Sequence, residues 1–168
     1  SNVDAHQLRT AIDAAERMGV RGYEVIQNGY NLLDPNGDAD VRRIAAEHGM
    51  AYTAYSALGS GVLTGKYRRK QAPPTGSLID IGYLEPVSPS VHDALDRLRA
   101  AADDRGTTTG ALALAWLMAR PDVAAITTAP SRTSPHLSLV DAALGLHVST
   151  EDAALWSSWF LGAASGRE

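Results

Sequence analysis

Apolar positions along this chain recur with the period of a helix in some stretches and as short unbroken runs in others, and the two patterns alternate. Leu8, Ala11, Ile12, Ala15 and Met18 share one face of a helix predicted from about Asp4 to Met18. Asp4 and Gln7 have the spacing of a capping box, and Gly19 supplies the stop. Tyr23 to Gln27 then reads as a short strand. The turn-forming run from Asp34 to Asp38 separates it from a helix over about 39–48 that carries Val41, Ile44 and Ala45 on one face. Ala51 to Tyr55 is a second strand. Further on, Ser90 caps a helix that turns Val91, Leu95, Leu98 and Ala102 inward and stops at Gly106. The next helix, about 109–119, is apolar nearly all round, Trp116 included, as a deeply buried helix should be. Val123 to Thr127 forms a third strand. A helix through Leu137, Leu139, Val140 and Ala143 follows. Ser149 with Asp152 opens the last helix, whose Leu155, Trp156, Trp159 and Phe160 pack over the sheet or line a site mouth, packing being the simpler role.

Helix and strand alternate without a hairpin signal, so the fold class is α/β with parallel strands and right-handed crossovers. The 168 residues fit one domain, 1–168, interrupted by a long loop over 68–90 where Pro73, Pro74, Gly76, Pro86 and Pro89 prevent regular structure. Such a loop is either a functional lid or a mobile insertion. Only three strands are visible, and their two open edges call for closure or a partner.

Composition narrows this picture without changing it. Apolar residues at 45%, charged residues at 20% and a net charge of −4 describe an ordinary globular chain and argue against nucleic acid as a partner. The absence of cysteine excludes thiolate chemistry and suits the cytoplasm. No apolar run approaches the length of a membrane span, and nothing resembles a signal peptide. His6, His48, His92, His136 and His147 lack the spacing of metal ligands and read as surface residues.

The chemistry is concentrated where the second strand ends. From Tyr55 the chain runs Ser-Ala-Leu-Gly-Ser-Gly-Val-Leu-Thr-Gly-Lys-Tyr, a strand opening into a glycine-punctuated loop that closes on Lys66. Exposed amides and a cation there would cradle an anion; the alternative is a plain connecting turn. The phosphate loop of the Walker type is excluded, because Ser60 stands where its first glycine belongs and Tyr67 follows the lysine. The dinucleotide fingerprint fails as well, since Thr64 occupies the third glycine position. After the third strand, Ser131, Arg132 and Thr133 at a helix start form a second candidate phosphate site.

Several separated segments together resemble the C-terminal half of aldo-keto reductases. They are Ser1-Asn2, the run from Gln27 to Leu33, the run from Tyr55 to Tyr67, Ala113 to Leu117, and the strand leading to Ser131-Arg132-Thr133. The resemblance implies part of an eight-stranded (β/α) barrel, a half TIM-type barrel containing strands 6–8, with its site at the C-terminal ends of the strands. It implies NADPH as cofactor and a small-molecule carbonyl as substrate. Ser1, Asn2 and Gln27 would bond the nicotinamide carboxamide, and Tyr55 would stack on its ring. Ser56, Leu58, Ser60 and Lys66 would follow the pyrophosphate, and Ser131, Arg132 and Thr133 would meet the 2′-phosphate. Tyr83, in the long loop, would contact substrate.

The family's acid tyrosine, its lysine and aspartate, and its substrate-orienting histidine lie in the first half of the barrel and map to no residue here. Ala57 stands for a usual proline and Gly29 for a usual bulkier residue. Of the residues that contact adenine, the segment after Ser134 offers only His136. The partner that closes the sheet is accordingly either the missing first half or a second copy of this chain. A regulatory or other non-redox role for such a half-barrel is the alternative to carbonyl reduction.

Overall fold

The computed structural model describes residues 1–129 and 136–163 of the chain. Its order is α1 (Ala5–Met18), β1 (Val25–Gly29), α2 (Ala39–Glu47), β2 (Ala51–Tyr55), a 3-10 segment (Gly59–Thr64), α3 (Pro89–Asp104), α4 (Thr109–Met118), β3 (Ala125–Ile126), α5 (His136–Leu144) and α6 (Thr150–Phe160). The strands form one parallel sheet in the order β1-β2-β3, with Val25 beside Ala51 and Thr53 beside Ala125. Strand order follows chain order, an arrangement consistent with part of the wall of a TIM-type barrel.

β1 and β2 bury alternate residues against the helices. Ile26 and Asn28 of β1 and Tyr52 and Ala54 of β2 are buried, whereas Val25, Gly29 and Tyr55 are exposed on the opposite face. α4 is the centre of the helical layer: every residue from Thr109 to Leu117 is buried, with Trp116 at 0% exposure. The Trp116 ring packs 5.6 Å from that of Tyr30, and its indole Nε1 donates to the Ala153 carbonyl of α6 at 3.2 Å. Trp156 and Phe160 are equally buried and pack against the core, whereas Trp159 is half-buried and lines a shallow cavity between α6 and α3.

The capping box of α1 is formed as expected, Gln7 N donating to Asp4 Oδ1 at 2.7 Å and Asp4 N to Gln7 Oε1 at 2.9 Å. Elsewhere three boundaries move. β1 starts two residues after the expected Tyr23, which is 67% exposed, and continues through Asn28-Gly29. It continues because Asn28 Nδ2 donates to Val3 O at 2.8 Å while its Oδ1 accepts from Val3 N, so a residue type that ordinarily ends strands is held inside one. β3 is shorter than the predicted run over 123–127, although the amides of Ala124 and Thr127 extend its pairing to the Tyr52 and Ala54 carbonyls. α3 is capped by Ser88, not Ser90: Ser88 Oγ accepts from Val91 N, Pro89 takes the first helical position, and Ser90 Oγ donates instead to the Ala163 carbonyl. The loop over 68–90 is folded on itself, with Tyr83 N and Leu84 N both donating to the Leu78 carbonyl and Ser77 buried.

The Tyr52 hydroxyl donates to Asp38 Oδ2 at 2.7 Å beneath α2. Burial, then this bond to a carboxylate, push its pKa well above the ordinary tyrosine value of 10.0, and burial raises that of Tyr30 against the opposing pull of Arg42. A tyrosine kept protonated in the fold contributes stability that is complete below the unfolded value and is lost as pH climbs past it. Unfolding midpoints in urea are therefore expected to fall steeply above about pH 10. Tyr52→Phe should cost about 1 kcal/mol at neutral pH and make that alkaline decline shallower. An unchanged slope would show that Tyr52 is not its source.

Candidate functional site

The C-terminal ends of β1 and β2 bring together residues distant in sequence. Asn2 N donates to the Gln27 carbonyl at 3.0 Å, which lays the start of the chain against β1. The Tyr55 hydroxyl donates to Asn2 Oδ1 at 2.7 Å. The Tyr55 ring lies against Gly29, where a Cβ would stand 3.4 Å from Tyr55 Cζ. Glycine at this position lets the ring lie close to the strand, with 36% of the residue open to solvent. Asn2, Gln27 and Tyr55 are thus assembled as one group. Ser1 is exposed beside them.

The following loop is held by unusual backbone angles. Ser56 has a φ of 56° and Ser60 of 55°, both in the left-handed region that costs a non-glycine residue energy. Asn31 compensates at the first of these, its Nδ2 donating to the Ser56 carbonyl at 3.0 Å. At Gly59 a Cβ would collide with Leu33 Cδ1 at 2.4 Å, and at Gly65 one would meet Thr109 Oγ1 at 2.8 Å. Both glycines are therefore required by packing as well as by φ. Gly65 pins the loop to the start of α4.

The expectation of a row of open amides is corrected here. The amides of Gly59, Gly61, Leu63 and Gly65 donate to the carbonyls of Ser56, Leu58, Leu58 and Val62, so the turns consume donors that an anion would otherwise use. The positive charge remains. Lys66 lies folded over Gly61, where a Cβ would come within 2.8 Å of its Nζ, and its ammonium stands 5.0 Å from the centre of the Tyr67 ring. It forms no ion pair among the described residues. Ser60 is exposed and Ser56 and Leu58 half-buried along the same path, with Leu58 packed against the core.

Tyr83 is 78% exposed in the folded loop, two residues after Ile81, which is 63% exposed. Ser131, Arg132 and Thr133 lie outside the described residues. The sequence placed Gly29, Asn28 and Asn31 in a family-like run and noted Gly29 as a replacement for a bulkier residue, but gave none of them a role; an Asn-Gly pair at a strand end and the Asn-x-Leu run after it were the available signals. Among the described residues no histidine, aspartate or glutamate cluster suited to a metal occurs, and no helix is long and apolar enough to cross a membrane.

Comparison with known proteins gives a consistent result. The family model described as the Aldo/keto reductase family matches residues 1–158. Over 139 residues the chain is 32% identical to a probable voltage-gated potassium channel subunit beta from Arabidopsis thaliana, covering 80% of this chain and 42% of that protein. A protein of the same description from Oryza sativa subsp. japonica is 28% identical over 137 residues, covering 79% of this chain and 42% of its own length. The chain spans less than half the length of these curated relatives.

Proposed function

This chain belongs to the aldo/keto reductase family, and from that premise we propose that it is the C-terminal, cofactor-binding portion of an NADPH-dependent carbonyl reductase, without the family's catalytic tetrad. The observation that carries the reading is the assembled group Asn2–Gln27–Tyr55 at the same end of the sheet as Lys66. A flat, half-open aromatic ring suits a nicotinamide, and an ammonium without an ion pair among the described residues suits a pyrophosphate. NADPH, when bound, supplies the hydride that reduces an aldehyde or ketone. The residues of this chain bind and orient: Tyr55 offers its ring face, Ser1, Asn2 and Gln27 the polar atoms beside it, and Ser56, Leu58, Ser60 and Lys66 the path along the phosphates. Ser131, Arg132 and Thr133 meet the 2′-phosphate, and Tyr83 reaches toward the substrate. The proton for the carbonyl oxygen comes from a part of the barrel outside this chain, and that part, or a second copy, covers the open sheet edge. The protein works in the cytoplasm.

Fluorescence titration with NADPH tests this directly. Quenching at micromolar cofactor is expected, and its absence would remove the assignment. Lys66→Met should weaken NADPH and NADH by the same factor, about tenfold for one charge-assisted contact, and flatten the salt dependence of both. Arg132→Met should weaken NADPH alone. Equal losses from the two variants on NADH would contradict the division of phosphates between them.

Both relatives are described as potassium channel subunits, which favours a second reading, in which the chain serves as a regulatory partner of another protein rather than as a reductase. Retention of NADPH binding with no carbonyl reduction after the sheet is completed by a first-half barrel would support it.

A further inference from the structure

The outer side of α3 carries a charge pattern that the fold leaves unmatched. Asp93, Arg97, Ala100 and Asp104 recur at spacings of four, three and four residues, so they form one exposed stripe along the helix. The charged groups to either side are matched: Asp93 pairs with Arg69, and Arg105, just past the helix, pairs with Asp152 of α6. Arg97 and Asp104 form no ion pair among the described residues. About 10 Å apart along the helix axis, they do not pair with each other. Beside the stripe lies α6. Ser90, at the start of α3, bonds the Ala163 carbonyl beyond the end of α6, while Arg105 meets Asp152 at its start, so the two helices run antiparallel. Between them are two shallow cavities of about 340 and 360 Å³, both bordered by Arg97 and Trp159. Leu161 borders the first and Leu155 the second, each 51% exposed.

An apolar groove next to two unmatched charges of opposite sign fits a surface of the same apolar character with the charges in reverse order. A second α3, running antiparallel to the first, is such a surface. With a twofold axis through the Ala100–Ala101 step, Arg97 and Asp104 are equally far from the axis, so each faces its opposite on the other copy. Ala100 at the centre is small enough for the helices to approach closely, and Leu155 and Trp159 flank the contact on both copies. We propose that α3, with the α6 groove beside it, is the self-complementary interface of a twofold homodimer, closed by two Arg97–Asp104 pairs around Ala100. Burial of the groove supplies the affinity, and the exposed charge pairs fix partner and register. This surface is distinct from the open sheet edge, and neither Tyr55 nor Lys66 belongs to it, so the proposal stands independently of the cofactor reading.

Sedimentation velocity on the 168-residue chain, at rising concentration, tests this. A monomer–dimer equilibrium is expected. Both charged residues are exposed, so their substitution leaves the core intact. Arg97→Asp and Asp104→Arg each set like charges against one another at two symmetry-related contacts, and each should weaken self-association about tenfold or more. An equimolar mixture of the two single variants should associate again, because every contact between them then joins opposite charges. The double variant should self-associate as the unaltered chain does. A dimer formed through the open sheet edge would show neither loss nor rescue, and that result would overturn the proposal. So would a chain that stays monomeric at every concentration, or single variants that remain apart when mixed. Dimerisation that appears only after removal of residues 164–168 would assign the groove to the chain's own tail, and the second copy would then be the wrong occupant.

Discussion

Trp116→Ala is expected to lower the stability of the chain by about 3–5 kcal/mol, as removal of a fully buried tryptophan does where the surroundings cannot collapse. Collapse is prevented on every side. Tyr30 packs against the ring from the sheet, the Arg120 guanidinium lies 5.4 Å over it, and α6 receives its N–H through the Ala153 carbonyl and Ser157 Oγ. The loss combines transferred surface, a cavity, and the indole N–H bonds to Ala153 and Ser157, which keep their bond to each other. Against a domain stability of about 5–15 kcal/mol this takes much of the total. Urea unfolding followed by far-UV circular dichroism reads it. Trp116→Phe should cost clearly less, because it preserves the contact with Tyr30. A midpoint unmoved by Trp116→Ala would mean that α4 is not the spine on which the sheet and α6 meet.

The legibility of this fold follows the strength of the local signals. α4 was legible because an all-apolar helix has nowhere to be but inside, and β2 because Tyr52, Thr53 and Tyr55 favour extended backbone on both sides of a register that buries Tyr52 and Ala54. The boundaries of β1 were not legible, since they depend on Asn28 bonding Val3 across a separation of 25 residues. Local propensity reads Asn-Gly as a turn; tertiary pairing makes it a strand end. The cap of α3 was ambiguous for a related reason: Ser88 and Ser90 are both good cap residues, and only the partner of Ser90, the Ala163 carbonyl at the other end of the chain, decides between them.

In the site, residue types and order were legible, and relations between side chains were not. The path from Tyr55 to Lys66 could be marked from glycines and a cation, yet nothing in the order of residues shows that the Gly59, Gly61 and Gly65 amides are spent on the loop's own turns. Nor does it show that Lys66 folds back over Gly61, or that Tyr55 and Asn2 touch. The resemblance placed Asn2 and Tyr55 on one ligand; the hydrogen bond between them is a property of the fold.

Asp122→Ala should be the other severe substitution, with a loss of about 3 kcal/mol or more, and the damage arises at its partner. Asp122 precedes β3 and pairs through Oδ2 with Arg42 of α2. The Arg42 side chain is only 6% exposed, with its guanidinium 4.1 Å over the Tyr30 ring and its remaining donors on the Gly37 carbonyl. The Asp122 side chain is 28% exposed, with its Oδ1 buried and without a hydrogen-bond partner. Removing it strands a buried cation, with Arg120, 4.0 Å from the other carboxylate oxygen, as a second unbalanced charge nearby. The pair also has a positional role, since β3 has only a short ladder to β2 and the clamp to α2 holds the segment that leads into it. Replacing both partners, Arg42→Met with Asp122→Leu, removes the charges together and should recover most of the loss, because a buried ion pair of this kind contributes little beyond an apolar pair of similar size. Denaturation of the single and double variants separates the outcomes. If the double variant is as unstable as Asp122→Ala, the cause is not the stranded charge but the specific geometry of the clamp, and β3 then depends on that geometry for its place in the sheet.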